Sequence, residues 1–455
     1  MSLTAWPKPD PLHDIDLEDG YFSQTSPQDL TNAFKNFEHE SEQNHINHIC
    51  VFFHGGLVSR PEGLNTAHNL INGYTNAGAY PFFFIWNSDL LHALKEKIRQ
   101  YGEDPVFATV VAHTALAVAG KMRAALDKQK LPPLPAPARL ARSGPRMFEQ
   151  LAELGRAYDE AWAKRAGAQL GCSQRELEQF ARFVLNAEKA VPVKRRMCKL
   201  TSPADVYARI HERLNSGHDH HGWYTTSLEE WLIEFCLGRL GSRIWRSMQG
   251  SIEKSFDGSA RAGGSAFAGH LCNVWNKAPK TRVTLIGHSA GSIYVQRMIE
   301  ALNARLPVGS PAQLDIILLA PAIRFARMDA GLSVLRKRVR GLRVFALKDK
   351  IESTYFEVFP YYGSLLYIVS SLCERDRYAD KPLVGMQRYW SGTKPYAIRP
   401  IQEVTGFIEP RRMKRTVWAP TKGASGWQSQ ATHHGEFPEE PCTNASVCEI
   451  LRNGF

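Results

Sequence analysis

The spacing of apolar residues changes period along the chain, and the changes mark out its elements. Two continuous apolar runs appear early, Ile49-Cys50-Val51-Phe52-Phe53 and Pro81-Phe82-Phe83-Phe84-Ile85-Trp86. Runs this short, rich in Ile, Val and Phe, read as strands buried on both faces. Between them, Pro61 to Asn76 has helical spacing, with Pro61 suited to a first turn. Strand, helix and strand in quick succession predict a parallel pair in an α/β sheet.

From 88 to 258 strand signals are scarce. Glu149 to Ala168, Gln174 to Lys189 and Ser227 to Gln249 all have helical spacing, and the Pro-rich run from Leu131 to Pro137 breaks the pattern. The alternation of strand and helix resumes near 260. A helix from Ala260 to Trp275 leads to the strand Arg282 to Ile286, then to a helix from Ala290 to Leu306. Further strands are expected at Leu314–Leu319 and Leu342–Leu347, a helix at Ser364–Glu374 and a weak strand at Arg415–Trp418. The expected organisation is therefore an N-terminal extension over 1–44, polar and mostly irregular, and one mostly parallel sheet sandwiched by helices from 45–87 and 259–455. A large helical, basic insertion or cap over 88–258 divides that sheet in sequence.

Composition narrows the class. With 455 residues, 44% hydrophobic and 22% charged, the chain has the make-up of a globular protein. Its longest apolar run, Val106 to Ala119, is shorter than a bilayer span and carries His113. The acidic N-terminal stretch does not resemble a secretory signal, and the eight scattered cysteines form no CxxC pair, so a reduced, cytoplasmic protein is expected. The net charge is +11, concentrated in 121–200, where 17 Lys and Arg face 8 Asp and Glu. Such a stretch is a solvated helix face in most proteins; here it also suits peripheral contact with an anionic membrane or an acidic partner. No nucleic-acid-binding signature occurs, so no nucleic acid partner is expected. No phosphate loop or dinucleotide fingerprint occurs either, and no cofactor is expected.

The strongest chemical signal is Gly287-His288-Ser289-Ala290-Gly291, set between an apolar strand and a helix. G-x-S-x-G in that setting puts a serine on a sharp turn whose small neighbours let it close, beside the positive end of the helix dipole. A second Gly-containing turn, His54-Gly55-Gly56, follows the strand Ile49–Phe53.

The segment from Val283 to Met298 resembles the nucleophile elbow of the α/β-hydrolase superfamily, of the serine esterase and lipase type. The resemblance covers about 45–87 and 260–455. It implies Ser289 as nucleophile and an oxyanion hole of backbone N–H groups from Gly55, Gly56 or Leu57 together with Ala290. Leu57 stands where the fuller HGGG form of that loop has a third glycine. The family order of serine, acid, histidine implies Asp349, just past the strand ending at Leu347, and His434 in Thr432-His433-His434-Gly435-Glu436-Phe437. Glu352 and Asp315 are rivals to Asp349, and His433 to His434. His288, Trp86 and Tyr355 are candidates for the substrate pocket, together with Leu57.

The implied activity is hydrolysis of a carboxylic ester through an acyl-enzyme, on a small-molecule or lipid-like, anionic acyl substrate. A phospholipase or thioesterase is the neighbouring alternative. The alternative of another class is a hydrolase-fold protein that binds an anionic surface or partner. The dense run His218-Asp219-His220-His221 reads as a polar loop, and no metal site is expected.

Overall fold

In the computed structural model the structure describes residues 8–56, 58–86, 89–126, 131–137, 140, 143–163, 169–189, 202–216, 221–233, 240–374, 380–393 and 396–455. The chain divides into two compact units, one of residues 1–92, 245–352 and 382–455, the other of 93–244 and 353–381.

The first unit is built on an eight-stranded sheet. Its strands are β1 (Asp14–Glu18), β2 (Tyr21–Phe22), β3 (His48–Phe53), β4 (Tyr80–Trp86), β5 (Arg282–His288), β6 (Leu314–Leu319), β7 (Val339–Leu347) and β8 (Thr416–Ala419). The spatial order is β2-β1-β4-β3-β5-β6-β7-β8, parallel throughout except for the β1–β2 hairpin. The fold class is thus α/β with a mostly parallel sheet. β3 pairs with β4 on one side and with β5 on the other, with Phe53 opposite Gly287. The long gap in sequence between β4 and β5 therefore leaves the sheet continuous.

Alternation along β4 shows how the two faces are filled. Phe82 and Phe84 meet Phe267 of the helix Gly263–Lys277, and Phe82 also stacks on Phe34 of the helix Pro27–Asn44. Phe83 points the other way, to Tyr74 of the helix Arg60–Asn76. Both N-terminal helices begin on capping boxes, Ser26 with Asp29 and Ser59 with Glu62, with proline just after the cap.

Two differences from the sequence expectation concern this unit. Residues 1–44 are not mostly irregular, because β1, β2 and the helix Pro27–Asn44 complete the sheet edge. The strand Asp14-Ile15-Asp16-Leu17-Glu18 alternates acids with apolar residues, and its buried Asp16 is matched by Arg60 at 2.9 Å and by the Gln24 N–H at 3.1 Å. Residues 353–381, expected with the sheet, belong to the helical unit.

In the second unit the helix Pro105–Ala125 lies among Arg146–Ala163, Gln174–Lys189 and Trp223–Trp231. By length and composition alone this helix could cross a membrane, but 56% of its most apolar stretch is buried within the protein, as in a core helix. The Trp231 indole N–H donates to the Thr114 hydroxyl at 2.8 Å, and Phe180 stacks on Tyr207. Of the single helix expected over Ser227–Gln249, the structure describes the helices Trp223–Trp231 and Leu240–Lys254, and residues 234–239 lie outside the described residues.

Candidate active site

β5 runs into the helix Gly291–Arg305 with only Ser289 and Ala290 between them. Ser289 takes a φ of 52°, a left-handed conformation that costs a non-glycine residue about 1–3 kcal/mol. The surrounding hydrogen bonds hold it there. Its N–H donates to the Leu319 carbonyl at 2.9 Å. Its carbonyl accepts from the Ala322 N–H at 3.0 Å, the Ser292 N–H at 3.1 Å and the Ser292 hydroxyl at 2.6 Å. Close approach explains the flanking glycines: a Cβ on Gly291 would sit 2.1 Å from the Phe53 carbonyl oxygen, and one on Gly287 2.8 Å from the Gly291 carbonyl oxygen.

His434 begins a short 3-10 turn, His434–Glu436, in the loop after β8. Its Nε2 lies 2.9 Å from Ser289 Oγ, and both side chains are buried. The loop is shaped by Glu436, whose carboxylate accepts the N–H groups of Thr432 at 2.8 Å and His433 at 3.1 Å. His433 pairs with that carboxylate at the surface, which leaves His434 as the inward-facing histidine. Burial, and next to it the neighbouring His288, lower the His434 pKa well below the ordinary histidine value, so the ring is held as a neutral acceptor for the serine proton.

His288 has a different place from the pocket position expected of it. Its Nε2 lies 3.0 Å from the His434 carbonyl oxygen, which can only accept, so Nε2 carries the hydrogen. Burial lowers its pKa to about 4. It ties the serine turn to the histidine loop. The signal for this role was the histidine inside the serine motif.

Gly55 packs against the same turn. A Cβ there would lie 3.0 Å from His288 Nδ1 and 3.2 Å from Ser289 Cβ, so only glycine brings this backbone so near the serine. Gly56 is buried beside it. Among the described residues, the N–H groups of Gly55, Gly56 and Ala290 make no hydrogen bond. His54 fixes the loop from behind. Its Nε2 accepts the Trp86 N–H at 3.0 Å, so the ring hydrogen sits on Nδ1 and is donated to the Gly55 carbonyl at 2.8 Å. Burial lowers the His54 pKa to about 4. Trp86, expected to line a pocket, is buried and stacks on His54, with its edge to Tyr294.

The expected acid is placed otherwise. Asp349 opens the short helix Asp349–Glu352 after β7, where its N–H donates to Gln387 and its carboxylate pairs with Arg388 at 3.1 Å. No hydrogen bond joins Asp349 to His434, and the Asp349 side chain is a third exposed. Its partner Arg388 is distant in sequence. Glu352, its rival in the same helix, is fully buried, and Asp315 pairs with Arg340 at the opening residues of β6 and β7. Tyr355 belongs to the helical unit, where its hydroxyl donates to Glu357 at 3.2 Å. Leu57 lies outside the described residues.

The arrangement brings together a strained serine, a neutral histidine within hydrogen-bond reach and three uncommitted backbone N–H groups. Such a set can transfer the serine proton and stabilise an oxyanion. Comparison with known protein families, with characterised proteins and with solved structures returns no match.

Proposed function

We propose that the protein is a serine hydrolase of the α/β-hydrolase type that cleaves carboxylic esters. The observation that carries this reading is Ser289, at a φ of 52°, with its Oγ 2.9 Å from His434 Nε2. His434 takes the Ser289 proton as Oγ attacks the acyl carbon. The N–H of Ala290 and that of Gly55 or Gly56 hold the oxyanion. His434 returns the proton to the leaving alcohol, and water then releases the acyl group by the same steps in reverse order. The short helix after β7 carries two carboxylates, Asp349 and Glu352, and one of them is the acid this reading assigns to orient the histidine. The long basic stretch favours substrates with an anionic head group; Arg195, Arg196 and Lys199, which belong to it, lie outside the described residues.

The test is covalent labelling of the full chain with a fluorophosphonate, with the adduct located by mass spectrometry. The expected result is a single adduct on Ser289, absent from Ser289→Ala, with a labelling rate lower by at least ~1000-fold in that variant. A panel of carboxylic esters, thioesters and phospholipids then separates esterase from thioesterase and phospholipase. A folded protein that takes no label would overturn the reading in favour of a binding protein built on the same fold.

A further inference from the structure

The helical unit buries a second concentration of ionisable groups. Arg213, on the helix Pro203–Ser216, is 4% exposed and stands among three buried carboxylates. Its Nη2 donates to Glu229 Oε2 and to Asp380 Oδ1, both at 2.9 Å, and its Nη1 to Glu230 Oε1 at 3.1 Å. Arg209 reaches the other oxygen of Glu230 at 3.5 Å. The second oxygens of Glu229 and Asp380 face His221. Its Nδ1 lies 3.2 Å from Glu229 Oε1 and 3.6 Å from Asp380 Oδ2, and all three side chains are buried.

The hydrogen bonds on the far side of the ring decide what Nδ1 offers. Ser370 Oγ has one hydrogen and gives it to the Lys381 carbonyl at 2.7 Å. It therefore accepts from His221 Nε2, 3.4 Å away, and the ring hydrogen is on Nε2. With the ring neutral, the Nδ1 lone pair points at two carboxylate oxygens. Three electron-rich atoms converging in a buried place repel one another unless a cation lies between them.

We propose that His221 Nδ1, Glu229 Oε1 and Asp380 Oδ2 are the ligands of a divalent transition-metal ion. Ligands about 2.1 Å from a tetrahedral zinc lie about 3.4 Å apart, between the two nitrogen–oxygen separations seen here. One imidazole nitrogen with two carboxylate oxygens suits zinc, manganese or ferrous iron over magnesium or calcium, which take oxygen donors. The remaining contacts are those that metal-bound carboxylates carry. Arg213 holds the outward oxygens of both, and the Tyr361 hydroxyl donates to Glu229 Oε1. The ligands come from His221, two residues before the helix Trp223–Trp231, from that helix and from the 353–381 segment, so the ion would cross-link two separate stretches of this unit.

Zinc is the probe. The untagged full chain is stripped with a chelator, reloaded with zinc, desalted and measured for metal content and melting temperature. The expected result is about one zinc per chain, a higher melting temperature on reloading, and at least ~10-fold weaker zinc binding in His221→Gln and Asp380→Asn. Tyr361→Phe, which keeps all three ligands, is expected to bind zinc about 10-fold more weakly. Cobalt titrated into the stripped wild type supplies a readout that needs no variant, namely a visible spectrum of a nitrogen–oxygen site saturating at one equivalent. Wild type that retains no metal and melts alike with and without zinc, manganese or iron would overturn the proposal and leave a proton between His221 and the carboxylates. Undiminished zinc binding by folded His221→Gln would overturn it too.

Discussion

The two units use similar side chains to opposite ends. Around Ser289 the histidines His54, His288 and His434 are buried, and burial holds each of them neutral, bonded to backbone groups or to the serine. In the helical unit Glu229, Glu230 and Asp380 are buried with their charges, matched by Arg213 and Arg209. The first arrangement leaves a base ready to move a proton. The second sets carboxylates against guanidinium groups and holds charge in place. Burial alone therefore does not mark a reactive site; what matters is whether the neighbours neutralise the ionisable group or keep it charged.

The sharpest break in this comparison is Arg213→Met. It removes the cation shared by three carboxylates, and the expected loss is about 3–5 kcal/mol of stability, read by urea unfolding with secondary structure checked by circular dichroism. A loss under about 1 kcal/mol would mean that the carboxylates take up protons and need no counter-charge.

Acid should act on the other unit. His54 and His288, with folded-state values of about 4 against an ordinary 6.5, bind fewer protons folded than unfolded. Stability rises with pH where the unfolded state holds more protons, so their contribution is complete above pH 6.5 and is lost as pH falls towards 4. The loss is about 3 kcal/mol for each if the shifts act in full. Unfolding midpoints between pH 7 and pH 4.5 measure it, and His288→Asn should flatten part of the slope. The lowered His434 value also places the acid limb of the fluorophosphonate labelling rate below pH 6.5.

Asp349→Asn gives a smaller effect. With Asp349 paired to Arg388, the labelling rate of Ser289 should fall less than ~10-fold, as for a partly exposed ion pair. A fall of ~1000-fold would mean that Asp349 leaves Arg388 to orient His434, and Glu352→Gln serves as the control from the same helix. Asp14 acts in the opposite sense, because burial pushes its carboxyl up to about 7. The folded state keeps its proton between the unfolded value and 7, so Asp14 costs stability as pH rises through that range. Asp14→Asn should therefore stabilise the protein by up to about 4 kcal/mol at pH 8, if the shift acts in full, and by less at pH 5, in paired thermal melts.

Much of the sheet was legible along the chain because each of β3 to β7 is a short apolar run that cannot be soluble except between layers of helices. The serine turn was legible for a steric reason, since glycine at 291 is what β3 tolerates at that distance and glycine at 287 is what the helix after the serine tolerates. β1 was not, because Asp14, Asp16 and Glu18 give it the composition of a loop; the partner that makes Asp16 tolerable, Arg60, comes from another element. The segment 353–381 was assigned to the sheet on proximity in sequence, which carries no information about the partners that Tyr361 and Asp380 find.

The order of chemical residues, Ser289 on a strained turn and His434 near the end of the chain, follows from local sequence, because turn geometry depends on residues a few positions apart. Which histidine faces the serine, which partner Asp349 takes and whether His221 is a surface loop residue or the centre of a buried cluster are matters of long-range packing. They depend on groups such as Glu436, Arg388 and Asp380, whose charges are fixed in place only when the chain has folded around them.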